Sequence, residues 1–344
     1  MRINLVNKLR RIGNDSTQHF LADLYSQLKG KDEVKASILE VIPFLNKKTG
    51  YDIYIRLLIT DPPLAAKNAY KAFIPLGDTV EFAAKHFEQL LPFVKYDNFR
   101  GRVLGLARDI ADDKNVDDKK MVGNSYMKLM AYASADIDSY IKIKDSVDNN
   151  YAGVIYAYMN LIKDFKFKEF NGQLTSAYLE KDPKGTYSPE AVVARIYNGL
   201  PNKPALVKHL MDSLDTRYDL MEAYYDQKET DKVPELYRRQ DQYAKLCLYK
   251  YIGSGDDEDN GGTATGMKLL GTITRGDNIY YAFKFSVVGG DEEKVMIGIT
   301  GPYKAGSKRL NFDKYFAYTT YEKLKPHWRA QASAMIKPLN ETYK

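Results

Sequence analysis

The sequence predicts a mainly α fold. An α-solenoid of stacked helical hairpins runs to about residue 255, and a small antiparallel β-sheet with one C-terminal helix follows it. Three observations predict this. First, Leu39-Glu40-Val41-Ile42-Pro43-Phe44-Leu45 rhymes with Glu88-Gln89-Leu90-Leu91-Pro92-Phe93-Val94. A helix ending in an apolar-Pro phrase, a turn and then an amphipathic helix is the pattern of a stacked repeat. Second, apolar residues keep helical spacing through the first three-quarters of the chain. Third, past a Gly/Asp-rich stretch at 253–262 the period switches to two.

The helical part is built from short segments broken by Gly, Pro, Asn or Asp. Asp15-Ser16 offers caps before His19-Phe20-Leu21, Leu24 and Leu28, and Gly30 closes that helix. Residues 51–56 have strand-like composition but lie between helical neighbours, so a helix is expected there. Asp78-Thr79-Val80-Glu81 has capping-box form. Ser188-Pro189-Glu190 places a cap, then Pro at the first helical position, then an acid against the helix dipole. Helices this short cannot bury their own stripe, so neighbours must stack. The expected domains are 1–255, a linker at 256–266 that cannot pack, and 267–344. In the last domain, strands are expected at 267–274, 279–287, 294–300 and 312–318, with a closing helix at 320–339.

With 44% apolar and 28% charged residues, the chain can bury a core as a soluble globular protein. Its one cysteine, Cys247, excludes an intramolecular disulfide. No window is apolar enough for a membrane span. No signal peptide is visible at Met1-Arg2-Ile3-Asn4-Leu5, so a cytoplasmic location is expected for the chain as written, and export if a leader once preceded it. Residues 263–344 carry 13 Lys+Arg against 7 Asp+Glu, which is the entire net charge of +6. Such asymmetry bears on partners rather than on fold.

Residues 38–112 resemble HEAT-type repeats in the apolar-Pro phrase, the Asp97-containing turn and the second helix with Arg102 and Leu106-Ala107. The resemblance implies an extended protein-binding surface, with Arg100 and Arg102 among its candidate contacts.

Motifs that would carry chemistry fall short. Asp256, Glu258, Asn260 and Gly261 match the first, third, fifth and sixth positions of a calcium loop, but Met267 stands where the bidentate Glu belongs. Gly261 and Gly266 have P-loop separation, but Met267 again replaces the required Lys, and a strand follows. His19, His86, His209 and His327 form no i,i+4 pair, and Cys247 sits in an apolar stripe. Arg275-Gly276-Asp277 is read as a hairpin turn. No metal or cofactor is expected. The 28 tyrosines mostly pack, but some are expected to line a binding face.

The expected function is therefore protein binding or scaffolding through the helical surface. The basic loop with Tyr303, Lys304, Lys308 and Arg309 is expected to contact an acidic partner protein. Two alternatives stand beside it: a hydrolase assembled from distant residues, and nucleic-acid or anionic-surface binding through the C-terminal domain.

Overall fold

The computed structural model describes residues 8, 14–45, 49–60, 80–113, 115–146, 151–253, 263–289, 292–307, 310–311, 315–321 and 327–342. The protein is mostly helical, with a four-stranded antiparallel sheet and a final helix at its C-terminal end. It divides into two compact units, Met1–Leu200 and Pro201–Lys344. This division falls before the expected boundary near 255.

In the first unit, α1 (Asp15–Gln27), α2 (Asp32–Leu45), α3 (Gly50–Thr60), α4 (Val80–Leu90) and α5 (Asp97–Asp112) come first. They are followed by α6 (Val116–Asn124), α7 (Tyr126–Leu129), α8 (Ala133–Ile143), α9 (Ala152–Asp164), α10 (Lys168–Lys181) and α11 (Ser188–Tyr197). Asn14 caps α1, its Oδ1 accepting from Thr17 N at 2.8 Å, one residue ahead of the expected Asp15-Ser16. Residues 51–56 are helical within α3. The capping box at 78–81 begins outside the described residues. Tyr187, not Ser188, holds the N-cap position of α11. The Ser188 hydroxyl donates instead to the Asp182 carbonyl at 2.6 Å.

The rhyming phrases occupy equivalent places. Pro43 lies near the end of α2, and Pro92 lies in the 3-10 turn Leu91–Lys95 that extends α4. Each following Phe ring meets a Tyr at the start of the next helix edge-on. Phe44 and Tyr51 are 6.4 Å apart, as are Phe93 and Tyr96. Further along, two layers of parallel helices form. Gly101 faces Val154 at the starts of α5 and α9, while Asp112 and Asp164 interact at their ends. Tyr156 meets Tyr187 near the starts of α9 and α11, while Asn198 donates to the Ile162 carbonyl at their ends, at 2.7 Å. In the other layer, α8 lies along α10 through Tyr140–Tyr178 and Lys144–Asp182. One continuous apolar core runs from Leu21 to Ala194.

The second unit contains α12 (Pro204–Leu210), α13 (Leu214–Asp226) and α14 (Gln240–Gly253). Strands β1 (Thr263–Arg275), β2 (Asn278–Gly289), β3 (Glu292–Lys304) and β4 (Tyr315–Thr320) form a meander in that order. Helix α15 (Trp328–Thr342) closes the chain. The sheet is covered on both faces, where a single helix was expected. Ala244, Leu248 and Ile252 of α14 pack on Met267, Phe283, Phe285 and Met296. Ala332, Ile336 and Leu339 of α15 pack on Ile273, Tyr280, Ile297 and Ile299. Helix α14, which precedes the Gly/Asp-rich stretch, supplies three of the ten buried residues of the first of these clusters and so packs with the sheet. Residues 254–262 of that stretch, including the near-calcium-loop positions, lie outside the described residues, and 263–266 open β1. Of the expected fourth strand, 312–314 lie outside the described residues and β4 takes up Tyr315–Thr320, while the closing helix begins at Trp328, later than expected.

Candidate functional site

Among the described residues, α9 of the first unit carries a stripe of exposed and half-buried positions on one side. On α9 the exposed or half-buried positions Gly153, Tyr156, Asn160 and Lys163 recur every three or four residues, as one side of a helix requires. Tyr156 is 40% exposed, large for an aromatic ring in a helix interior. The Arg108 guanidinium of α5 lies 5.7 Å from the Tyr156 ring centroid. On its other side, Tyr156 meets Tyr187 at 6.4 Å, and Tyr187 meets the buried Tyr140 at 5.6 Å. At the far end of the same face, Lys163 lies 5.9 Å over the Tyr197 ring. A row of cation and aromatic groups therefore crosses α5, α9 and α11.

The row is held in place. The Arg108 Nε and Nη2 donate to Asp109 Oδ1 at 3.0 and 2.6 Å, and that hydrogen bond raises the guanidinium pKa further. Burial raises the Tyr187 hydroxyl, which stays a neutral donor at physiological pH. Tyr96, Tyr151 and Tyr187 occupy the N-cap positions of α5, α9 and α11, and all three pack against the core. A tyrosine at the start of α5, α9 and α11 is a signal the sequence carried and spacing analysis missed, because the intervals between these tyrosines differ.

The six residues expected from the sequence do not come together. Arg100 is 4% exposed. Its Nη1 donates to Asp136 at 2.5 Å, its Nη2 to Asp97 at 2.7 Å and its Nε to the Val94 carbonyl at 2.8 Å. It closes an internal network and offers no surface contact. Arg102, two residues on, is exposed on α5. Tyr303 is 2% exposed. A bulge in β3 opposite Ile279–Tyr281 turns it onto the α14 face, where its ring stands edge-on to Tyr281 at 5.4 Å. Lys304 is exposed at the end of β3. Lys308 and Arg309 lie outside the described residues.

The chemistry-bearing residues weighed earlier are placed as follows. Cys247 is 3% exposed within α14. His86 Nε2 lies 3.4 Å from Asp52 Oδ1. Among the described residues, no group of three or more His, Cys, Asp or Glu side chains is arranged to hold a metal ion, and no helix is long and apolar enough to cross a membrane. No family model, curated protein or solved structure matches the chain.

Proposed function

We infer that the first unit is a HEAT-like helical-repeat scaffold that binds another protein, taking an extended segment of it along the open face of α5, α9 and α11. The observation that carries this reading is the Arg108–Tyr156–Tyr187 row. Tyr and Arg are, with Trp, the side chains enriched among those that dominate binding energy, Tyr because it brings large area at small entropic cost and Arg because it adds charge and polar reach. The parallel layers and the tyrosine at the start of α5, α9 and α11 support the repeat reading.

The test is selection of phage-displayed peptides on the intact protein, followed by binding measurements on Tyr156→Ala and Arg108→Ala variants. Loss of a central anchor costs about 2 kcal/mol or more, so affinity should fall roughly 30-fold. Circular dichroism should stay unchanged, since Tyr156 is exposed and Arg108 is only half-buried. Selected peptides that bind both variants as tightly as the parent would overturn the reading.

A second reading concerns the other unit, where Arg275 and Lys304 flank Asn278 at one end of the sheet. Together they form a basic edge suited to an acidic partner surface.

A further inference from the structure

Arg217 of α13 is a buried cation, 8% exposed, whose hydrogen bonds all go to backbone. Its Nε donates to the Met211 carbonyl at 2.5 Å and its Nη2 to the Asp212 carbonyl at 3.1 Å, which closes the C-terminal end of α12. The Tyr237 ring covers one face of the guanidinium, its centroid 4.2 Å from Cζ. Nη1 takes part in neither hydrogen bond.

A second cation faces this one. Helices α13 and α14 run antiparallel: Tyr249 donates to the Asp215 carboxylate, and Tyr225 meets Tyr243 at 6.4 Å. That pairing brings Lys245, one turn before Tyr249, toward Arg217, two residues after Asp215. Lys245 is half-buried, and among the described residues its ammonium makes no hydrogen bond or ion pair. Burial lowers its pKa and the Arg217 charge lowers it further, against the pull of Asp241. The carboxylates around the pair are engaged by other donors. Asp241 accepts from Arg239 at 2.8 Å and from Gln242 at 3.0 Å, and Asp212 accepts from Tyr237 at 3.2 Å. Asp215 is held by Tyr249.

Two like charges drawn partly out of water oppose folding. The end of α12 accounts for Arg217. It does not account for Lys245, whose place an apolar side chain of the same length would fill without repulsion. An anion between the two removes that repulsion.

We propose that Arg217 and Lys245 together bind a phosphate group, free or as the end of a small phosphomonoester. Nη1 and the ammonium supply charged donors from two helices, and their combined charge matches a phosphate dianion. A single carboxylate would leave one cation unmatched. Partial burial strengthens both contacts relative to the open surface.

The test follows acetylation of individual lysines on the intact chain by mass spectrometry, with inorganic phosphate as one probe and glycerol 3-phosphate as the other. Two charge-assisted contacts support a Kd of about 1 mM, so about 10 mM probe should slow labelling of Lys245 roughly 10-fold. The exposed Lys268 on β1 is the reference and should label at an unchanged rate. Equal protection by both probes assigns the site to phosphate itself, and stronger protection by the ester assigns it to a phosphorylated small molecule. Lys245→Met keeps the apolar stem and removes the like charge. Without phosphate it should unfold at or above the temperature of the parent, and phosphate should no longer raise that temperature. Protection of Lys245 no greater than that of Lys268 with either probe, or an equal phosphate-induced rise in Lys245→Met and parent, would each overturn the proposal.

Discussion

The Arg100 guanidinium and the Asp136 carboxylate meet at 2.5 Å inside the first unit, each almost fully buried. Tyr158 donates to the second Asp136 oxygen at 2.7 Å, and the Tyr132 ring lies against the guanidinium, 4.4 Å from centroid to Cζ. The pair therefore ties α5 to α8 and α9. Removing Arg100 leaves the Asp136 carboxylate buried without a counter-charge, which costs about 3–5 kcal/mol. Removing Asp136 leaves Arg100 still paired with Asp97 at 2.7 Å and costs less. Arg100→Met should lower the unfolding free energy of the first unit by the larger amount, and Asp136→Asn by less. The double variant should recover much of the loss, because no orphaned charge remains. A double-mutant cycle by urea unfolding checks this, and additive single losses would contradict it.

Asp164 is the last residue of α9, where the negative end of the helix dipole disfavours a carboxylate. Its Oδ2 is buried without a hydrogen-bond partner among the described residues. Burial raises its pKa, against the opposing pull of Lys163 and Lys119. The folded state thus holds this proton more tightly than the unfolded chain does. Stability from this group is then greatest at low pH and falls as pH rises from the unfolded value of about 3.9 through the raised folded value. Asp164→Asn should remove that decline and stabilise the protein at neutral pH by about 0.5–1 kcal/mol. Thermal unfolding of both proteins across the acid range tests it. A variant less stable than the parent at pH 7 would show that Asp164 makes a favourable contact.

Gly301 adopts φ +151, and a Cβ there would lie 2.7 Å from the Tyr280 ring and 2.9 Å from the Ile279 carbonyl oxygen. Gly276, in the β1–β2 turn, has φ +55 with open space around it. Gly276→Ala should therefore cost only the left-handed backbone penalty of about 1–2 kcal/mol. Gly301→Ala adds a backbone clash to its strain and should cost about 3 kcal/mol or more. Equal losses in urea unfolding would show that β3 shifts to absorb the methyl group.

These contrasts also mark what the sequence discloses. The change of period at the Gly/Asp-rich stretch is visible because alternation and helical spacing are local properties. The Pro43-Phe44 and Pro92-Phe93 phrases are visible because each Phe meets a Tyr only a few residues away. Arg100 was placed on the surface because its partner Asp136 lies 36 residues on, with nothing local to announce it. Tyr303 was placed in an exposed loop because alternation alone does not reveal a bulge that reverses which face a residue takes. Helix α14 carries a stripe of Ala244, Leu248 and Ile252 that would suit either a neighbouring helix or a sheet, so its membership could be read only from packing. The Arg108–Tyr156–Tyr187 row is a tertiary arrangement of residues from three helices.

The basic edge of the second unit gives the last prediction. The Ala305 N–H donates to the Asp277 carbonyl at 2.8 Å and ties the end of β3 to the β1–β2 turn. Lys304, Arg275 and Asp277 are all exposed there. Two exposed cations in water contribute little to folding, so Arg275→Ala/Lys304→Ala should leave the unfolding midpoint within about 0.5 kcal/mol of the parent. On the proposed reading, their effect falls on the encounter with an acidic partner. Association with an acidic protein should slow several-fold in the variant, while dissociation changes little, because rim charges act mainly on the on-rate. Added salt should slow the parent more than the variant, since exposed charges are screened over about 8 Å at physiological ionic strength. Surface plasmon resonance against an acidic probe protein, run at several salt concentrations, measures both. Identical on-rates and salt slopes for the two proteins would reduce this edge to a solvated turn.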